Sequence, residues 1–288
     1  MLGIGWFSTG RGEGSRGLLR AAVEAIRRGD LRARILFVFC NREPGEHEGS
    51  DRFLAMASSY GLPVLSLSSR RFRRERGAPS IEAVRGEYDR AVLHLIEPYA
   101  PHIVVLAGYM LIVGPTLCRR FPMLNLHPAL PDGPRGPWQE VIWTLIEQGA
   151  KESGVMVHLA TEEVDRGPPI TYVRFPIRGG PFDPLWEQVG GLSMEEVRRR
   201  WGEDLPLFQA IRREQMLRER PLLVATLRAF AEGEIRLVGG YPVRADGQPL
   251  PLCLNDVVEE ALARWGGEPS WTTPRGQAPW GRNLGITP

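Results

Sequence analysis

The sequence predicts an α/β protein with a doubly wound, mostly parallel sheet flanked by helices, a Rossmann-type core. Three observations carry this. Short continuous apolar runs recur, as in Ile35-Leu-Phe-Val-Phe-Cys40 and Ile103-Val-Val-Leu106, the mark of strands buried on both faces. Longer segments with helical apolar spacing separate them, so strand and helix signals alternate. A glycine-rich turn, Gly10-Arg-Gly12-Glu-Gly14-Ser15-Arg16-Gly17, follows the first run, where open α/β sheets place a ligand crevice.

In chain order, residues 2–8 read as a short buried strand. Residues 18–28 form a helix with Leu18, Leu19, Ala22 and Ile26 on one face. Residues 35–40 are a central strand, 51–60 a helix closed by Gly61, and 63–67 a third strand. One long amphipathic helix is expected over 81–99 and a fourth strand over 102–107. Strands at 122–126, 154–160 and 169–177 follow, with a helix at 138–148. After glycine-rich breaks, Ser193-Met-Glu-Glu196 has the form of a capping box opening a helix through residue 200. Residues 207–232 are helical, with a kink or restart expected at Pro221. From 239 to 288 the chain is rich in Gly, Pro and Trp, with helical spacing only over 255–265. The expected organisation is a catalytic domain over 1–238, with an insertion near 181–210, and a C-terminal extension over 239–288.

Composition narrows the function. The 288 residues are 43% apolar, enough for a substantial core. A net charge of only +2 gives nucleic-acid binding no global support. Lys151 is the sole lysine, which argues against Schiff-base chemistry. Cys40, Cys118 and Cys253 are far apart and odd in number, so they read as reduced thiols, not a disulfide frame or zinc site. The histidines lack ligand spacing, and no metal is expected. No apolar stretch approaches the roughly eighteen residues of a membrane span. A cytoplasmic monomer or homodimer acting on small molecules, without nucleic-acid or membrane partners, is the expectation.

The chemistry concentrates in Met123-Leu-Asn125-Leu-His127-Pro128 and, downstream, Thr161-Glu162-Glu163-Val-Asp165-Arg-Gly167-Pro168. Asn125 and His127 alternate on a strand and so share a face. An amide that can donate to an oxyanion, an imidazole and a carboxylate suit acyl transfer to an amine. Taken singly, His127 is an ordinary strand-end histidine, and the three carboxylates are a solvated acidic turn. The Gly10–Gly17 turn suits a phosphate, whereas a dinucleotide fingerprint fails because its third glycine falls on Ser15.

Six pieces resemble the folate-dependent formyltransferases, most closely the branch that formylates glycinamide ribonucleotide. They are Gly12-Glu-Gly14-Ser15, Phe39-Cys-Asn41-Arg42, Tyr88-Asp89-Arg90 with Ile96-Glu-Pro-Tyr99, Val105-Leu-Ala-Gly-Tyr-Met110, the Asn125/His127 stretch, and Val164-Asp165-Arg-Gly-Pro168. The resemblance implies that Asn125, His127 and Asp165 are catalytic and that 10-formyltetrahydrofolate is the co-substrate. It implies that Gly12, Gly14, Ser15 and Arg16 hold the acceptor's phosphate, with Arg16 replacing the family's usual asparagine. Leu106, Tyr109, Met110, Leu111, Ile112 and Val113 would flank the folate, with Thr161 and Glu162 closing its other side. Many relatives carry an acceptor-facing glutamate where this chain has Met216, with Glu214 and Glu219 nearby. An amino-sugar nucleotide formyltransferase and a hydrolase of 10-formyltetrahydrofolate are the rival readings.

Overall fold

The computed structural model describes residues 1–163 and 166–264. The first half alternates as the sequence predicts: β1 (Leu2–Ser8), α1 (Glu13–Arg28), β2 (Ala33–Cys40), α2 (Glu48–Ser59), β3 (Val64–Ser66) and α3 (Ser69–Glu75). Then come α4 (Arg85–Ile96), β4 (Ile103–Leu106), α5 (Pro115–Arg120), β5 (Met123–His127), α6 (Trp138–Glu147), β6 (Glu152–Leu159) and β7 (Pro169–Pro176). The remaining elements are α7 (Asp183–Glu187), α8 (Met194–Trp201), α9 (Pro206–Glu232), the hairpin β8 (Ile235–Val238) and β9 (Tyr241–Arg244), β10 (Leu252–Cys253) and α10 (Asn255–Arg264).

Eight strands form one sheet in the order β10-β7-β6-β5-β4-β1-β2-β3. Only β6 runs against its neighbours; every other pairing is parallel. Alternation along β1 sends Ile4 and Trp6 to one face and Phe7 to the other. The first face packs on Leu18, Leu19 and Ala22 of α1 and Leu222, Leu227 and Phe230 of α9. The second packs Phe7, Phe37 and Phe39 against Tyr88, Val92 and Ile96 of α4 and Leu117 of α5. A third, smaller core joins Ile142 and Trp143 of α6 to Phe182, Trp186, Val197 and Phe208. The segment between β7 and α9 therefore brings apolar partners of its own.

Several boundaries differ from the sequence reading. Helix α1 opens at Glu13, so Gly14, Ser15 and Arg16 sit in its first turn, with Gly12 as N-cap. The expected helix over 81–99 is instead α4 between 3₁₀ turns at Glu82–Val84 and Glu97–Tyr99. Pro98, in the first turn of the second 3₁₀ segment, has no N–H to donate, so the α-helical hydrogen-bond pattern stops there. Helix α9 is continuous through Pro221, so it does not restart there. One missing hydrogen bond there is outweighed by the buried stripe Leu222, Leu223, Leu227 and Phe230. The Ser193–Glu196 capping box is present at the start of α8.

Candidate active site

Asn125 and His127 stand at the carboxyl end of β5, and both approach a residue the sequence reading missed. In the antiparallel register Asn125 lies opposite His158 of β6. The Asn125 amide donates to His158 Nε2 at 3.1 Å. That places the His158 hydrogen on Nδ1, which donates to Leu159 O at 3.1 Å. The His127 and His158 rings meet edge to face, 6.3 Å apart. His127 Nε2 donates to Pro134 O at 3.0 Å, tying the ring to the loop after β5. Both histidines are buried. The available signal for His158 was a lone polar residue in Gly154-Val-Met-Val-His-Leu-Ala160, but only the strand register brings it to Asn125.

Asp165 lies outside the described residues. The chain around it is closely constrained: a Cβ on Gly167 would fall 1.6 Å from Leu159 O, and Leu159 N–H donates to Pro168 O at 3.0 Å. Thr161 and Glu162 are described, and Glu162 pairs with Arg119 at 2.7 Å.

The expected phosphate turn and folate segment are neighbours. Thr9 N–H donates to Gly108 O at 3.0 Å, and Met110 N–H donates back to Thr9 Oγ1 at 2.8 Å. Ser8 Oγ donates to Ala107 O at 2.7 Å. Gly108 has φ +66°, and a Cβ there would sit 2.3 Å from Ser15 Oγ. The start of α1 therefore abuts the segment after β4. Arg16 donates to Glu13 Oε2 at 3.1 Å and to Gly49 O at 3.4 Å. Within the expected folate segment, Leu106 and Val113 are buried in the core, and Tyr109 packs its ring on Phe7 at 5.3 Å. Met110 and Ile112 are 66% and 47% exposed and face outward.

On α9, Met216 is half-buried. Both neighbouring carboxylates are in ion pairs, Glu214 with Arg218 at 2.6 Å and Glu219 with Arg212 at 2.7 Å. Sequence reasoning also missed Gln215, fully buried, whose Nε2 donates to Pro128 O at 2.8 Å and Ser153 Oγ at 3.2 Å. It clamps α9 to the residue after His127. A cavity of about 420 Å³ opens between α7 and α9, lined by Phe182, Leu185, Ala210, Arg213 and others, but by none of the expected site residues.

The family described as formyl transferase matches residues 12–180, from the α1 cap past β7. The chain belongs to the formyl transferase family. It is 31% identical over 172 residues to the phosphoribosylglycinamide formyltransferase of Escherichia coli K12, covering 59% of this chain and 71% of that one. To the enzyme of the same name from Haemophilus influenzae it is 29% identical over 238 residues, 81% of this chain and 90% of the other. The fold superimposes on glycinamide ribonucleotide transformylase 1 from Symbiobacterium toebii with a TM-score of 0.59 and 26% identity, covering 85% and 94%. This formyl transferase is thus a transferase built on an eight-stranded, mostly parallel sheet. Among its described residues no helix is long and apolar enough to cross a membrane.

Proposed function

We propose that this formyl transferase moves the formyl group of 10-formyltetrahydrofolate to the primary amine of glycinamide ribonucleotide in purine biosynthesis. The observation that carries the reading is the placement of Asn125 and His127 at the end of β5, in register with the end of β4, after which Met110 and Ile112 are exposed. The relatives named above support the acceptor. The amine nitrogen attacks the formyl carbon and forms a tetrahedral oxyanion. The C–N10 bond then breaks, giving a formamide, while the amine's proton leaves and N10 regains one in tetrahydrofolate.

Asn125 stabilises the oxyanion through an amide that His158 orients. His127 donates to the same oxygen, which requires its Nε2 hydrogen to leave Pro134 O or its Nδ1 to carry one. Asp165 favours charged His127 and receives the amine's proton through water. Gly12, Gly14, Ser15 and Arg16 hold the acceptor phosphate at the α1 start, where backbone N–H groups point outward. Met110 and Ile112 flank the folate, with Thr161 and Glu162 opposite.

The test is formyl transfer from 10-formyltetrahydrofolate to glycinamide ribonucleotide, followed by product mass, with Asp165→Asn as control. Turnover that collapses in the control supports donor, acceptor and Asp165 together. Folate binding without turnover overturns the acceptor and sends the search to amino-sugar nucleotides.

A further inference from the structure

A different part of the crevice, at the ends of β2 and β3, holds a buried positive charge with no direct ion pair among the described residues. Arg42 is only 6% exposed. Its Nη1 donates to Asn41 O at 2.9 Å and to Ser69 Oγ at 2.7 Å, while its Nε has no partner among the described residues. No carboxylate forms an ion pair with it among those residues. The acidic side chains of this edge are engaged elsewhere. Glu43 holds Arg71, Glu46 accepts from Ser68 Oγ and Glu43 N–H, and Asp51 accepts from Gly45 N–H. A guanidinium withdrawn from water is strongly unfavourable unless paired.

Two further arginines act on it through space, beside Glu46. Arg70 follows Ser69, and Arg11 lies in the turn that Ser50 Oγ seats on α2 by donating to Thr9 O at 2.7 Å. Both are exposed, and neither forms an ion pair among the described residues. Burial, then Arg70 and Arg11, push the Arg42 pKa below the usual arginine range. Glu46 and, to a smaller extent, Cys40 oppose this. Asn41 Oδ1, fully buried beside Arg42, is also without a partner among the described residues. It is an acceptor, which suits an anion that carries a hydroxyl.

We infer that Arg11, Arg42 and Arg70 form an anion subsite at the carboxyl ends of β1, β2 and β3 that takes a phosphate group. A guanidinium offers paired N–H donors matched to phosphate oxygens, and Asn41 O and Ser69 Oγ fix that of Arg42 in advance. Exposed Arg11 and Arg70 attract the anion from solvent. The subsite adjoins the α1 start, since Arg11 precedes the Gly12 cap, and does not depend on which amine is formylated.

The test is thermal unfolding of the full chain titrated with inorganic phosphate, against chloride at matched ionic strength. The wild type is compared with the double variant Arg11→Gln/Arg70→Gln and with Arg42→Met. Phosphate is expected to raise the wild-type Tm beyond chloride. In the double variant its half-saturating concentration rises at least about tenfold, as loss of two charged contacts implies. Arg42→Met loses the response while keeping its Tm without phosphate. Gly12 to Arg16 are unchanged in every variant, so a response that survives Arg42→Met belongs to the α1 start. Equal phosphate dependence in wild type and double variant overturns the inference, as does a wild type that distinguishes phosphate from chloride in nothing.

Kinetics with the double variant then locate the group's source. A raised KM for glycinamide ribonucleotide with an unchanged folate KM assigns the phosphate to the acceptor. Two unchanged KM values with a lost Tm response assign it to a free phosphate effector. A raised folate KM alone overturns phosphate in favour of the donor's carboxylates. The titration needs no turnover, so it stands apart from success or failure of the transfer assay.

Discussion

Arg218 and Arg42 are buried to nearly the same degree, 8% and 6% exposed, but their surroundings are opposite. Arg218 sits between Glu214 at 2.6 Å and Glu259 of α10 at 2.8 Å, with its guanidinium 4.5 Å from the Phe175 ring centre. Arg42 has two arginines for neighbours. The contrast extends to other polar groups. Inside the scaffold Thr171 and Thr226 satisfy one another at 2.7 Å. Along the carboxyl ends of the strands, backbone carbonyls and an imidazole hold Asn125, His127 and Arg42. Burial of polar chemistry is therefore organised for cohesion in the scaffold and for ligands at the strand ends.

Five substitutions sharpen or break that contrast. Asn125→Ala should lower the rate of formyl transfer by about two to three orders of magnitude with little change in Tm. A fall in Tm large enough to explain the rate would move Asn125 to the scaffold class. Arg218→Met should cost about 2 kcal/mol in denaturant unfolding, below a fully buried pair because both glutamates can rehydrate. Arg42→Met should cost clearly less than Arg218→Met, and equal costs would break the comparison.

Thr226→Val should cost about 1 kcal/mol, since Thr171 keeps a buried hydroxyl with one partner removed. Asp89→Asn is expected to be the mildest. Its carboxylate accepts from Gly114 N–H at 2.7 Å, which an amide oxygen also does. Burial raises the Asp89 pKa, against the lowering effect of Gly114 N–H and Arg85. A raised carboxyl pKa stabilises the fold at low pH and loses that contribution as pH rises through the folded value. The variant's Tm relative to wild type should therefore increase from acid to neutral pH, and a flat difference would refute the assignment.

The parallel half of the fold was legible because strands buried on both faces leave continuous apolar runs, as in β2 and β4. Helices α3 and α5 were not. Each is short, and α3 buries only Ser69 and Phe72 while α5 buries only Leu117, so neither shows a stripe. The β8–β9 hairpin was also missed, although Gly239-Gly240, both at positive φ, is a strong two-residue turn signal. Asn125 and His127 could be read from strand alternation. His158, Gln215 and the isolation of Arg42 could not, since each depends on which distant segment folds against it.

The two ends of the sheet have a consequence for how copies of this protein meet. β3 at one edge is three residues long, and β10 at the other is two, laid parallel over the end of β7. A foreign strand finds its foothold in a row of open backbone N–H and C=O groups, and stubs offer very few. β10 also occupies Thr171 and Tyr172 on the longer β7. Among the described residues the large sheet thus ends in poor templates on both sides, which guards the folded molecule against growing edge to edge into aggregates.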